Sequence, residues 1–330
     1  MKVSIFDVAR KSGLSVVTVS RVLNNSPSVR EKNRQRVLNA MKELDYHPNA
    51  AARSLARGKT RIVGLIATTL QDSFLDEVMR EITTALESHG YFLALSVSAD
   101  KQDKNHYLIQ EERVDGLILL SPIHEAEYVY ELNKRNLPFV LVDNQTNIPS
   151  TSSVIVENDK GGYDATKYLL ELGHTKIAHI RGPHLFRSAN EREKGFLRAL
   201  REAGLEPFAV EQGEFSINEG YRIARKWLDE DRLPTAIFAG DDYLATGVIN
   251  ALLEAGIRVP EQVSVIGYDD QFLAQELRPL LTTVRQPAQQ IAHHTVDIIL
   301  KLIQGTLQDS VTVKLRPELI IRDSTQRLKP

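Results

Sequence analysis

The chain has 330 residues, 42% of them hydrophobic and 25% charged, with a formal net charge of −2. That balance excludes wholesale disorder, and at about 100–200 residues per domain the length suggests two or three domains. There is no cysteine, which excludes disulfides, thiolate-held zinc, iron–sulfur clusters and thiol catalysis. No apolar run reaches the roughly 18 residues of a transmembrane helix. The opening Met1-Lys2-Val3-Ser4-Ile5-Phe6-Asp7 lacks the apolar stretch of a secretory signal.

The charge is unevenly spread. Residues 1–60 hold twelve Lys and Arg against four Asp and Glu, a net +8, so the remaining 270 carry −10. A basic head on an acidic body suits contact with a polyanion, although a solvated basic surface gives the same count.

Residues 4–11 read as a short helix, with Ser4 as N-cap, Asp7 as its capping-box partner and Ile5, Val8 and Ala9 as an apolar stripe. Gly13 breaks it, and Ser15 caps a second helix over 16–24. There Val19, Val22 and Leu23 take the i, i+3, i+4 spacing of a core face, which turns Val16, Val17, Ser20 and Arg21 outward. Exposed valines beside an Arg make a poor solvent face but a good groove-reading one. Valine methyls pack on thymine methyls, and Arg forks onto guanine O6 and N7. A third helix, about 30–44, offers Val37, Leu38, Met41 and Leu44 to close the small core. Helix, glycine turn, helix and supporting helix is the helix-turn-helix layout.

Pro48 stops what precedes it. Asn49 can cap a short helix through Ala50–Ala56, which Gly58 ends; seven residues are marginal alone in water. From Arg61 the pattern changes to apolar strands (62–67, 92–96, 116–121, 139–143, 177–181, 236–240, 263–268) alternating with helical segments such as 76–89, 126–136, 163–172 and 245–255. That predicts parallel sheets covered on both faces, in two lobes split around 144–160 with a late crossover back. Ligands in such folds sit beyond the carboxyl ends of the strands. Asp143, the pair Asp241 and Asp242, and the pair Asp269 and Asp270 fall there, and Arg192 is expected to begin a helix after the Gly182-Pro183 loop. These groups could be acid/base catalysts, a metal site, hydrogen-bonders to sugar hydroxyls or plain helix caps. His174 and His293-His294 lack metal-ligand spacing, Gly161-Gly162 reads as a tight turn, and no phosphate-loop, zinc-protease or nucleophile-elbow motif occurs.

Ile5-Phe6-Asp7-Val8-Ala9, Gly13-Leu14-Ser15, Thr18 through Asn24, Tyr46-His47-Pro48-Asn49 and Ala52-Arg53-Ser54-Leu55 resemble the head of the lactose/galactose repressor (LacI/GalR) family. The likeness continues through Leu172-Gly173-His174, Glu191-Arg192, Gly195-Phe196, Val265 to Asp270, Leu281 to Val284 and Gln286-Pro287, nearly the whole chain. It implies an all-α helix-turn-helix head (1–45), a hinge helix (46–60) and a two-lobed α/β body (61–330) similar to periplasmic sugar-binding proteins. By that resemblance Val16, Val17 and Arg21 contact base edges, while Ser15, Thr18, Ser20 and Asn24 fix the helix on phosphates. The hinge helix, capped by Asn49, orders on DNA; Leu55 wedges a base step in the minor groove and Ala52 faces the groove floor. Arg192, Asp241, Asp269 and Gln286 match effector-contacting positions, Asp143 ends a strand beside them, and Phe74 and Phe215 match flanking aromatics.

Three departures stand out. Phe6 replaces a frequent Tyr and is expected to do packing only, Asp241 replaces the usual Asn, and Glu157 replaces a usual Asp. The implied partners are double-stranded operator DNA, a small carbohydrate or sugar-phosphate effector, and a second copy of the chain, with no cofactor and no membrane. Residues 320–330 show no leucine heptads, which favours a dimer over a tetramer, and the absence of cysteine is compatible with the cytoplasmic location expected of such a regulator. A sugar-binding module without DNA regulation, or a sugar-processing enzyme, would account for the body but not for residues 1–60.

Overall fold

In the computed structural model the described residues are 3–24, 26–47, 59–68, 73–97, 107–110 and 113–329. The chain forms two compact units, residues 1–61 and 62–330. Asn49, Ala52 and Leu55, on the expected hinge helix, lie outside the described residues.

The first unit has three helices: α1 (Ile5–Ser12), α2 (Val16–Leu23) and α3 (Glu31–Glu43). The Asp7 carboxylate accepts from the Ser4 backbone N–H at 3.0 Å, which supports the α1 start, and Gly13 ends the helix in the left-handed region at φ 65°. Ser15 Oγ caps α2 by accepting from Thr18 N–H at 3.2 Å. Val8, Ala9, Val19, Val22, Val37 and Ala40 form the buried core. Three expectations need correction. Val16 does not stand outward but is half-buried and packs on this core, because it lies one turn before Val19 on the same stripe. Leu38 is 44% exposed and Phe6 64% exposed, so neither does the packing expected of it.

The second unit contains two six-stranded sheets. In chain order the elements are β1 (Ile62–Ala67), α4 (Ser73–Ser88), β2 (Phe92–Val97), α5 (Tyr107–Gln110), β3 (Gly116–Leu120), α6 (Glu125–Lys134), β4 (Phe139–Val142) and β5 (Ser153–Val156). Next come α7 (Asn158–Glu171), β6 (Ile177–Arg181), α8 (Arg187–Glu202), β7 (Ala209–Gln212), α9 (Ile217–Asp229), β8 (Ala236–Ala239), α10 (Asp242–Glu254) and β9 (Ser264–Asp269). The chain closes with α11 (Phe272–Glu276), β10 (Thr282–Arg285), α12 (Ala288–Gln304), β11 (Thr312–Leu315) and β12 (Glu318–Ile320).

The first sheet runs β11-β5-β4-β3-β1-β2, all parallel. The second runs β12-β10-β9-β8-β6-β7 and is parallel except where β12 pairs antiparallel with β10. Apolar clusters cover both faces of each sheet, as continuous Val/Ile/Leu strands require. The chain crosses between lobes three times: after β5, back after β10, and again between β11 and β12. The last crossing was not foreseen.

The Gly161-Gly162 pair is not a tight turn. It lies inside α7, where a Cβ at Gly162 would sit 2.2 Å from the backbone oxygen of Arg192 on α8, so Gly162 lets two helices touch backbone to backbone, while a Cβ at Gly161 would sit 2.2 Å from the Tyr268 hydroxyl.

Candidate DNA-reading face and ligand cavity

On α2, Val17 is 60% exposed, and Arg21 and Ser15 are exposed as well. Thr18, Ser20 and Asn24 are half-buried at the edges of the same face. Asn24 ends the helix, its backbone N–H donating to Ser20 O at 3.0 Å. The face therefore presents one apolar tip, one guanidinium and a rim of short hydroxyl and amide side chains. That set suits base edges and phosphates.

In the second unit one cavity of about 240 Å³ opens between the lobes. Phe74, Asp143, Arg192, Phe215, Asp241, Asp269 and Gln286 all line it, so the structure brings together every residue that the sequence marked for this role. Ser121, Phe186, Ser188, Glu214 and Tyr243 also line it and were missed. Ser121 had a legible signal: it follows β3 as Asp143 follows β4, and its hydroxyl donates to Asp143 Oδ2 at 2.8 Å.

Arg192 is the hub. It sits in the second turn of α8 and not at its start. Its Nε donates to Asn158 Oδ1 (3.1 Å), Nη1 to Gly240 O (2.6 Å) and Nη2 to Asp269 Oδ1 (3.1 Å), while the guanidinium lies 3.7 Å from the Tyr268 ring centroid. Burial opposes its charge, but Asp269, Tyr268, Asp143 and Asp241 outweigh that and raise its affinity for the proton. Gln286 Nε2 donates to the same Asp269 oxygen at 2.6 Å. Asp269 holds this position at φ 101°, a left-handed backbone that L-residues adopt only when the surroundings impose it. Burial pushes the Asp143 carboxyl up from its usual range, against the Ser121 hydrogen bond and the Arg192 charge.

The paired aspartates divide their tasks. Asp241 Oδ1 caps α10 by accepting from Leu244 N–H at 2.8 Å while lining the cavity. Asp242 lies fully buried behind it, accepting from Thr283 Oγ1 (2.6 Å) and Gln271 N–H (2.7 Å). Burial, then the charge of Asp269, pushes Asp242 well above the usual carboxylate range. Asp270 is held by Arg285 (2.7 Å) and Arg322 (2.6 Å) and does not cap a helix. His179 is buried between Phe196 and Phe238, its Nδ1–H donating to Phe238 O at 2.8 Å; burial lowers its pKa to about 4. Among the described residues no His, Cys, Asp or Glu group could hold a metal.

A polar bridge joins the lobes beside the cavity. The Arg187 backbone N–H at the start of α8 donates to Gln145 Oε1 (2.8 Å), and its Nη1 donates to Asn147 Oδ1 (2.8 Å). The 144–147 loop is fixed from behind by buried Glu125, which accepts from Gln145 N–H at 2.8 Å and from the backbone and hydroxyl of Thr146.

Residues 4–49 match the family model "Bacterial regulatory proteins, lacI family", and residues 166–325 match "Periplasmic binding protein-like domain". The HTH-type transcriptional repressor PurR of Edwardsiella ictaluri is 35% identical over 97% of this chain and 96% of its own length. Catabolite control protein A of Priestia megaterium is 36% identical over 99% and 100%. The lac repressor dimer bound to operator and the anti-inducer ONPF superposes with a TM-score of 0.90 at 30% identity, over 99% of this chain and 100% of that one. A LacI-family regulator from Enterococcus faecium with bound ribose gives a TM-score of 0.75 at 28% identity, over 81% and 100%. Among the described residues no helix is long and apolar enough to cross a membrane. With relatives of this identity aligned along almost its entire length, the chain belongs to the lacI family of bacterial regulatory proteins and is a DNA-binding transcriptional regulator.

Proposed function

We propose that this regulator is a homodimeric repressor whose grip on a near-palindromic operator is set by a small carbohydrate in the interlobe cavity. The carrying observation is that all seven residues assigned to a ligand from sequence line one cavity. The ribose held by the Enterococcus faecium regulator supports the ligand class, and the lac repressor dimer on its operator supports the assembly.

In this reading Val17 and Arg21 read base edges, with Val16 at the margin, and Ser15, Thr18, Ser20 and Asn24 seat α2 on phosphates. Residues 46–60 form the hinge, with Asn49 capping it and Ala52 and Leu55 in the minor groove. In the cavity Asp143, Arg192, Asp241, Asp269 and Gln286 hydrogen-bond sugar hydroxyls, and Phe74 and Phe215 cover the ring. The ligand shifts lobe closure and so biases DNA affinity, a reciprocal coupling of about 1–3 kcal/mol. The protein works in the cytoplasm and by binding, not by turnover.

Fluorescence anisotropy on a palindromic-site library, at two salt concentrations and with a sugar panel, tests this. Tight binding to one palindrome, weakened by salt and shifted by a sugar, is the expected result. No sequence preference under any condition overturns it. Release by sugar makes the ligand an inducer; tightening makes it a co-repressor.

A further inference from the structure

We infer that Asp270 is a positioning residue of the ligand site, clamping the turn that aims Asp269 at Arg192 and the cavity; this rests on reading the cavity as a carbohydrate site. β9 runs out into two successive residues with left-handed backbone, Asp269 at φ 101° and Asp270 at φ 54°. Neither is glycine. Two such residues in a row persist only where their surroundings hold them.

The Asp269 side chain lines the cavity and accepts from Arg192 Nη2 at 3.1 Å and Gln286 Nε2 at 2.6 Å. The turn beneath it is fastened separately. Arg285 Nε donates to Asp270 Oδ2 at 2.7 Å and Arg322 Nη2 to Asp270 Oδ1 at 2.6 Å, one arginine to each oxygen of a carboxylate that is 3% exposed. Arg322 is itself fixed, its backbone N–H donating to Thr282 Oγ1 at 3.0 Å and its Nη1 to Leu281 O at 2.8 Å. On the far side of the turn, Gln271 N–H donates to buried Asp242 at 2.7 Å.

The clamps come from telling places. Arg285 holds Asp270 and the next residue, Gln286, holds Asp269, where the chain leaves β10 for the first lobe. Arg322 stands two residues past β12, the strand reached by the third crossing. The aspartate assigned to the ligand is thereby tied to two of the three lobe crossings. An asparagine at 270 would keep the size and tolerate the left-handed backbone. It would have one acceptor oxygen for two arginines, and its amide would turn donors on one of them.

The test is calorimetric titration of the full-length protein with ribose, glucose and fructose, on the parent and on Asp270→Asn, Asp270→Gly and Arg285→Gln. Leu252→Ala, in the core of the same lobe, serves as a destabilised control. Each is titrated at a temperature where it is folded, so lost stability alone leaves affinity unchanged. The sugar that the parent binds should bind both Asp270 variants about tenfold or more weakly and Arg285→Gln, a half-exposed change, severalfold more weakly. Leu252→Ala should keep the parent's affinity. Asn and Gly both accept the left-handed backbone, so the loss reports the clamp. A crystal structure of sugar-free Asp270→Asn should show residue 269 away from its φ of 101° and its carboxylate beyond about 3.5 Å from Arg192. Parent-like affinity in any of the three clamp variants, an equal loss in Leu252→Ala, or an Asp269 that keeps its place in the crystal overturns the inference. No sugar bound by the parent overturns the carbohydrate reading instead, and the crystal structure alone then decides whether Asp270 positions Asp269.

Discussion

The contact between α7 and α8 sets where Arg192 sits, and Gly162→Ala tests it. A Cβ at this position falls 2.2 Å from Arg192 O and 2.9 Å from Arg192 C, whereas ordinary contact begins at 3.4 Å. The helices must separate by about 1 Å. Arg192 donates at 2.6–3.1 Å, so that shift takes its bonds beyond the roughly 3.2 Å of a good N–H···O geometry. Overpacking costs about 1–3 kcal/mol, and a weakened buried hydrogen bond to a charged group about 1.5–3 kcal/mol. Alanine's better helix propensity returns at most about 1 kcal/mol. The net loss is about 2–5 kcal/mol.

The chain has one tryptophan, Trp227, which is 2% exposed in the core of the second lobe, so its fluorescence follows urea unfolding of the lobe that contains this contact. The midpoint should fall by about 1 M or more, and sugar affinity by more than tenfold. Gly195→Ala meets Asp159 O at 2.0 Å across the same interface. The double variant should therefore lose less than the two single losses together. A Gly162→Ala protein with the parent's urea midpoint and the parent's sugar affinity refutes the argument that this backbone contact positions the arginine.

Three further outcomes follow from the same geometry. His179 titrates near 4 in the folded chain against about 6.5 unfolded, so the unfolded state takes the proton first. Stability is full above about pH 6.5 and falls towards pH 4 by up to about 1.4 kcal/mol per pH unit. His179→Asn, which keeps a donor for Phe238 O, should flatten that acid limb in urea midpoints taken from pH 4 to 8, and an unchanged slope refutes the assignment. Arg187→Ala removes one cross-lobe hydrogen bond at a partly exposed site, so sugar affinity should drop up to about fivefold with little change in melting temperature. Equal affinities in calorimetry would remove the bridge from the closure mechanism. Arg21→Ala should cost about 1–3 kcal/mol on the preferred operator and relax specificity at one base pair. A parallel loss on random DNA in anisotropy would make Arg21 a phosphate contact only.

The central strands were legible because they are buried on both faces. Gly116–Leu120 shows no exposed position, so its residues carry no polar alternation, and β1, β3, β4, β6, β8 and β9 match the apolar runs within one residue at each end. The short strands were not. Ala209–Gln212 is a half-exposed edge strand, and Thr312–Leu315 alternates exposed and covered side chains over four residues. Neither gives a run that stands out from a loop. Position at strand ends located Asp143 and the pairs Asp241-Asp242 and Asp269-Asp270; only the family resemblance, and not the position, singled out Asp241 and Asp269 from their neighbours. Which aspartate of each pair faces the cavity depends on Thr283, Gln271, Arg285 and Arg322, which arrive from distant segments. Gly162 was misread because its partner is the backbone of residue 192, which no local pattern reveals.

The third crossing between lobes bears on how the protein is made. The first lobe's core includes Ile291, Val296 and Ile299 of α12, and its sheet is completed by β11 against β5. The second needs β12 against β10. Neither lobe can finish folding until residues near 315–320 have been synthesised, although the three-helix head is complete before residue 61. At about 5–20 residues per second, that leaves an interval of roughly 13–50 s on the ribosome. During it the nascent chain carries a folded DNA-binding head without a finished ligand cavity. The ligand cavity is thus the last part of the polypeptide to be completed, and a chain released early would carry the helix-turn-helix head without it.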